Sequence, residues 1–471
     1  MKLSDYIVTF LQKKGIRHFF GYQGTMIAHL VDSIERNPET ENHSGYNEQG
    51  AAFAACGYAQ AKEECACAYA TSGPGAINLL SGVADAYYDS LPVIFLTGQL
   101  NTYEYSGIKG LRQQGFQETD MVAMAKPITK YAVQIRKPED IVEELNKAYH
   151  IATTGRRGPV LIDLPMNIQR SEVENPVYDM TFEDKHTDTD AAQQAADTIL
   201  EALEQAKRPV IMLGHGVDSS FSQQKLIRFA QKRQIPIITS VLAKSVLGYD
   251  HPLNFGCIGG AYGHRYANMI ANAKSDLLLC FGISLCTRQI GTKVHEFARG
   301  AKIIRIDIDP YNLQRDIHEN GINEVKLQAE TGAVIDCLAK AAAPDTEGIS
   351  DWLNICTEIK ENLQAVDDAT PERYPNRMIA DLSDMLEDTS AIAVDVGQHM
   401  VWSYQSFKNH EGQKLLFSGG HGAMGYGLPA AIGAYYATGK PTACICGDGA
   451  LQMNIQELEW VKRENLPVKI M

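Results

Sequence analysis

The chain has 471 residues, 45% hydrophobic and 21% charged, a balance that excludes wholesale disorder, collagen-like structure and a membrane bundle. Its 43 basic against 57 acidic residues leave a formal charge of −14 with no basic run, so nucleic acid is not an expected partner. The global field repels anions, and an anionic ligand here needs local donors or a metal.

The opening stretch, MKLSDYIVTFLQKKGI, is amphipathic and lacks the apolar region of a secretion signal. No apolar run reaches the length of a membrane span, and a cytoplasmic protein is expected. The 10 cysteines include Cys280, Cys444 and Cys446 in apolar, strand-like text, and none has the spacing of a zinc site; they read as reduced core residues. In chain order, short apolar runs at Val93–Leu96, Val160–Leu164, Val210–Leu213, Leu277–Phe281 and Ile303–Ile308 alternate with helical text. Near-continuous apolar strands between helices indicate parallel sheets covered on both faces. Two polar stretches, Ser171–Asp190 and Ala341–Asp351, read as linkers. They divide the chain into domains at 1–170, 190–340 and 355–471. The expected fold is α/β, with three doubly wound parallel-sheet domains.

The first and last domains share a short repeat. CACAYATSGPGAINLLSGVADAYYDSLPVIFLTG and PTACICGDGALQMNIQELEWVKRENLPVKIM each read as strand, Gly-centred turn, helix, Leu-Pro-Val and strand. Gly73 and Pro92 are 19 positions apart, Gly447 and Pro467 are 20 apart, and each copy follows a Gly/Ala-rich helix. Duplication of one fold explains both features better than the general likeness of βαβ units.

Gly447-Asp448-Gly449 ends a strand and opens a helix. Glycines admit a ligand close to the backbone, and a helix start offers N–H groups to an anion. An Asp at that point repels phosphate unless it holds a cation, so the pairing suggests a Mg²⁺-bridged diphosphate. GDG alone is usually a plain turn; with VDVGQHM (394–400) and SGGHGAMGYGLPAAIGA (418–434) before it, it is a strong signal. These segments, with NEQGAAFAACGYA (47–59), TSGPGAIN (71–78), GFQETDMVAMAKPITK (115–130), GRRGPVLIDLP (155–165) and IDIDP (306–310), resemble the thiamine diphosphate enzymes of the acetohydroxyacid (acetolactate) synthase family over nearly the whole chain.

The resemblance implies pyrimidine-binding, middle and diphosphate-binding domains in that order. It implies that Glu48 hydrogen-bonds N1′ of the cofactor pyrimidine and so lets N4′ take the thiazolium C2 proton. It implies that Met424 props the cofactor in its bent form beside Gly422, and that Asp448 is a ligand of Mg²⁺. Gly73, Gln398, His399, Gly447, Gly449 and Ala450 match positions at the cofactor. Phe116 and Gln117 match a pair that enters the active site from a neighbouring subunit, which implies a homodimer or homotetramer. Arg156 and Asp307 match positions at FAD, and Arg288 matches an arginine near flavin and substrate. FAD is an optional cofactor on this reading, structural in a non-redox reaction. Taken as ordinary residues, Glu48 is a first-turn helix charge, Met424 a core side chain and His399 a structural partner.

The chain departs from the family at Asn47, where His is usual, at Gln23 and Thr25, at Met166, and at Thr287 before Arg288. Gly259–Gly263 corresponds only loosely to the family's Gly-Met-His-Gly segment. The family's second metal motif, an Asn pair, lies further on than Met471, which is 22 residues beyond Gly449, and Asn454 is too early to serve. The diphosphate-binding domain is therefore expected to be incomplete as written, and the chain as written a poor catalyst.

The expected reaction is decarboxylation of a 2-oxo acid, pyruvate first among them, and transfer of the two-carbon unit to a second carbonyl compound. Rivals are a 2-oxo acid decarboxylase, a flavin-linked oxidase, and a non-catalytic binding protein that lacks a complete metal site. A nicotinamide dehydrogenase is the weakest, because GHGVDS (214–219) is only a partial G-x-G-x-x-G.

Overall fold

The computed structural model describes residues 1–471 except 107, 109, 184–188, 218 and 342–349. The chain forms two compact units: Met1–Glu183 with Thr389–Gly397 and Leu416–Met471, and Asp184–Asp388 with Gln398–Leu415. Three sheets carry the architecture, and the expected α/β plan of parallel sheets holds.

The first sheet runs in the order Glu41–Ser44, His18–Tyr22, Ala66–Ala70, Val93–Gln99, Val160–Pro165, Tyr131–Gln134, all parallel. Its central strands are buried on both faces, as their unbroken apolar text requires. Alternation divides their side chains. Ala66, Ala68, Ala70, Val93 and Phe95 face one core, whereas Cys67, Tyr69, Ile94 and Leu96 face the other. The first core also takes Ala391, Ala393 and Cys444 from the third sheet, ordered Lys414–Phe417, Ala391–Val394, Thr442–Ile445, Val468–Ile470.

Between these sheets lie the helices Glu48–Lys62 and Gly427–Thr438, the two Gly/Ala-rich segments of the repeat. Their small residues allow backbone contact. A Cβ on Gly57 would lie 2.3 Å from the Ala430 carbonyl oxygen, and one on Gly433 would lie 1.8 Å from that of Ala54. The two helices thus enter each other's surface reciprocally, as a duplicated pair would.

In the second unit the sheet order is Glu324–Gln328, Lys302–Asp307, Leu277–Phe281, Pro209–Leu213, Ile237–Thr239, Asn254–Cys257. The partial G-x-G motif there has a packing explanation: Cβ atoms on Gly214 and Gly216 would meet the Gly282 backbone at 2.0 and 2.7 Å.

Seven of the ten cysteines are buried, while Cys286, Cys337 and Cys446 are half-buried. The stretch 171–183 differs from a free linker. Leu3 N donates to Ser171 O at 2.8 Å, Val173 N to Met1 O at 2.8 Å, and Tyr178 packs on Tyr6. Pairing with residues some 170 positions away is invisible to local composition. The remainder of that linker, at 184–188, and most of the second, at 342–349, lie outside the described residues. Among the described residues no helix is long and apolar enough to cross a membrane.

Candidate active site

Glu48 is the first residue of its helix. Asn47 caps that helix, its side-chain oxygen accepting from Gln49 N at 2.8 Å, so the residue that stands in place of the family's His has a structural task. The Glu48 carboxylate is buried, at 9% exposure. One oxygen accepts from Asn78 Nδ2 at 3.0 Å. The other lies over Gly75, where a Cβ would sit 2.8 Å away and 2.8 Å from Thr71 Cγ2. Only glycine leaves this oxygen its place.

The Ser72–Gly75 turn closes around the carboxylate. Gly73 has φ +61°, and a Cβ there would strike Gln117 Cβ at 2.8 Å. Gln117 itself has φ +65°, a conformation unusual for a side-chain-bearing residue. Ser72 Oγ is buried without a hydrogen-bond partner, so a polar atom waits beside the cradle. Phe116 is 79% exposed, so the Phe-Gln pair divides: Gln117 packs on Gly73 of its own chain and Phe116 projects outward.

A second cluster is built on the third sheet. Asp395, at the end of Ala391–Val394, accepts from Gly425 N at 3.0 Å and Gly427 N at 2.8 Å. That anchors the loop that carries Gly422 (φ +71°) and Met424, which is 42% exposed. Gly449 is exposed and would place a Cβ 3.6 Å from Met424 Cε, an ordinary contact. Asp448, exposed, is the first residue of helix Asp448–Met453, with Gly447 as N-cap and Ala450 buried beneath. Asn454 is buried and donates to Gly425 O at 2.9 Å.

Gln398 and His399 begin helix Gln398–Ser406 in the second unit, the former exposed and the latter half-buried. Arg156, in the first unit, donates from Nε to Ser90 Oγ at 3.1 Å. Both Asp307 oxygens serve its own turn, accepting from Asp309 N at 2.9 Å and Asn312 Nδ2 at 3.0 Å. Arg288 is exposed and lies 4.7 Å from the Tyr262 ring and 6.0 Å from that of Tyr404. The second unit also has a cavity of about 650 Å³, lined in part by Gly260, Gly263, Tyr374 and Gln405.

Sequence reasoning missed four buried carboxylates that hold the two clusters in place. One is Asp395. Asp85 accepts from Ser418 Oγ, whose oxygen in turn receives Ala423 N at 2.9 Å. Asp89 accepts from Gly419 N at 2.8 Å and Gly420 N at 2.7 Å. Glu457 accepts from Tyr46 N at 3.1 Å, and a Cβ on Gly50 would lie 2.5 Å from its Oε1. Burial pushes the Asp85 carboxyl well up, with Asp89 adding like-charge repulsion. Burial likewise raises Asp89 to about 7, against two backbone N–H groups that pull it down. Burial raises Glu457 to about 7, against the backbone of Tyr46 and Asn47. For Asp85 and Asp89, two carboxylates four apart in the largely apolar text ending in DAYYDS were the available signal.

Comparison with known proteins follows the same division. The family model for the thiamine pyrophosphate enzyme N-terminal TPP binding domain matches residues 1–124, that for the central domain 196–338, and that for the C-terminal TPP binding domain 395–471. The "Probable acetolactate synthase large subunit" of Methanocaldococcus jannaschii is 36% identical over the whole chain, which covers 79% of that protein. Acetolactate synthase 1, chloroplastic, of Nicotiana tabacum is 35% identical with 70% covered, and that of Oryza sativa subsp. japonica 34% with 72% covered. A buried glutamate under a Gly-centred turn, an exposed aspartate at the matching turn and these likenesses over the whole of this chain agree, and the chain belongs to the thiamine pyrophosphate enzymes, in the acetolactate synthase family.

Proposed function

We propose that the chain is a thiamine diphosphate-dependent carboligase of the acetolactate synthase type, with Glu48 as the proton-handling residue and Asp448 as the metal-holding one. Bound thiamine diphosphate supplies a nucleophilic carbon and an electron sink for a decarboxylating 2-oxo acid such as pyruvate. The observation that carries this reading is the seat of Glu48: a carboxylate with one oxygen fixed by Asn78, the other kept clear by Gly75, and the buried Ser72 hydroxyl nearby.

Each residue has one task here. Glu48 holds a proton at N1′ of the pyrimidine and thereby sets the basicity of N4′. Met424, half-exposed on a loop fixed by Asp395, offers an apolar prop. Asp448 is exposed at a helix start beside Gly447 and Gly449, with Ala450 buried beneath, and there it would give Mg²⁺ one carboxylate while backbone N–H groups would serve a diphosphate. Gly73, at the closed turn, completes the cofactor positions of the first unit.

A homodimer or homotetramer is part of the reading. Phe116 at 79% and Tyr88 at 51% exposure are large apolar groups left for a second copy to cover, and Phe116 would then meet the partner's substrate while Gln117 stays with the closed turn of its own chain. Arg288, held over two rings, is the proposed contact for a substrate carboxylate. FAD fits the residues less well: both Asp307 oxygens are engaged and the Gly214 and Gly216 spaces are filled by Gly282, so no step passes through flavin. The test is turnover of pyruvate to an acetohydroxy acid with added thiamine diphosphate and Mg²⁺ and without an electron acceptor. Pyruvate consumption that requires an acceptor would favour the oxidase, and release of free aldehyde the decarboxylase.

A further inference from the structure

We propose that His18, Glu41 and His43 form a binding site for a transition-metal cation of the Zn²⁺ class, separate from the residues assigned to Mg²⁺. The three lie at the edge of the first sheet. Parallel pairing sets His18 opposite Glu41 and Phe20 opposite His43. Residues two apart on a strand share a face, so the edge strand places Glu41 and His43 on one side, and the register brings His18 to the same side.

Their donor atoms converge. His18 Nδ1 and His43 Nε2 are 2.9 Å apart, and Glu41 Oε2 is 3.6 Å from the first and 3.7 Å from the second. A point equidistant from these three atoms lies about 2.0 Å from each, the length of a Zn–N or Zn–O bond. Two imidazoles and one carboxylate are a borderline-soft donor set that suits Zn²⁺, Ni²⁺ or Cu²⁺ and suits Mg²⁺ poorly.

The surroundings fit a held ligand set. The His43 side chain is 5% exposed, its ring 3.8 Å from that of Tyr436 and stacked on Phe20. Its far nitrogen, Nδ1, lies 4.0 Å from Glu464 Oε2, a carboxylate that accepts from the Tyr436 hydroxyl, so the negative charge stands behind the ring without a direct hydrogen bond to it. His18 is 20% and Glu41 65% exposed, so the site opens to solvent on the Glu41 side and leaves a position for water. Without a cation, one imidazole must donate its N–H to the other to keep the 2.9 Å contact; a bound cation replaces that proton.

The test is Zn²⁺ titration of the chelator-stripped full chain, with Mg²⁺ and thiamine diphosphate in excess. One Zn²⁺ per chain is expected, with affinity lowered at least about 10-fold in Glu41→Gln and in His18→Gln. Carboligase turnover and thermal stability of the metal-free Glu41→Gln protein should equal those of the parent. Co²⁺ in place of Zn²⁺ should give ligand-field bands without the intense thiolate charge-transfer band that a cysteine site would show. Absence of stoichiometric Zn²⁺ binding, parental affinity in both variants, or a thiolate band lost on cysteine alkylation would overturn the proposal.

Discussion

The Ser72–Gly75 turn and the Gly447–Ala450 turn hold the same place in two copies of one βαβ unit, yet they are built oppositely. The first is closed: Gly73 and Gly75 are there because Gln117 and Glu48 fill the space a side chain would need. The second is open, with Asp448 and Gly449 exposed. The first therefore suits a buried proton relay, and the second a charged diphosphate with its hydrated cation. The segment that leads into each Gly/Ala-rich helix is held by the other copy. Asp89, after the first turn's helix, binds the Gly419–Gly420 backbone that leads into Gly427–Thr438, and Glu457, after the second turn, binds the Tyr46 backbone that leads into Glu48–Lys62. The two copies share the scaffold and the reciprocal latch and differ in the packing and exposure of their turns.

The sharpest way to break the comparison is to remove the charge from the closed turn. Glu48→Gln keeps the size and the Asn78 contact, and turnover should fall at least about 100-fold without loss of fold. In the open turn, Asp448→Ala should weaken Mg²⁺-dependent thiamine diphosphate binding at least about 10-fold, measured by titration. The cofactor-free melting temperature should not move, because the residue is exposed. A smaller effect separates the two glycines. Gly75→Ala forces a methyl onto Glu48 Oε1 and should destabilise by about 1–3 kcal/mol with loss of activity. Gly449→Ala meets only Met424 Cε at 3.6 Å and should change stability by less than about 0.5 kcal/mol.

The latch gives the mildest prediction. Glu457 is raised to about 7 by burial, so the folded chain keeps its proton at pH values where the unfolded chain has released it. Stability should therefore fall as pH rises from the ordinary carboxylate range to about 7 and level off above, at about 1 kcal/mol per pH unit from this group. Glu457→Gln should flatten that part of the profile in thermal melts, and an unchanged slope would assign the titration elsewhere.

Much of this was legible in the text of the chain. Val93–Gln99, Leu277–Phe281 and Lys302–Asp307 are strands close to where unbroken apolar runs predicted them, because strands buried on both faces leave an unambiguous composition. The Gly-centred turns were legible for the same kind of reason: backbone crowding admits few residues. The latches were not. Asp89 and Gly419 are 330 positions apart, and nothing local to either predicts the other. The strap of 171–183 on Met1–Leu3 escaped for the same reason, its polar text resembling a linker while its backbone is engaged. Phe116 and Gln117 read as one unit, but their neighbours part them, since only Gln117 meets the closed turn.

Exchange of the thiazolium C2 proton with solvent deuterium, followed by NMR in the holoenzyme, bears most directly on the assignment of proton handling to the closed turn. With thiamine diphosphate bound equally tightly, Glu48→Gln should exchange at least about 100-fold more slowly than the parent. Parental exchange in Glu48→Gln would contradict the account.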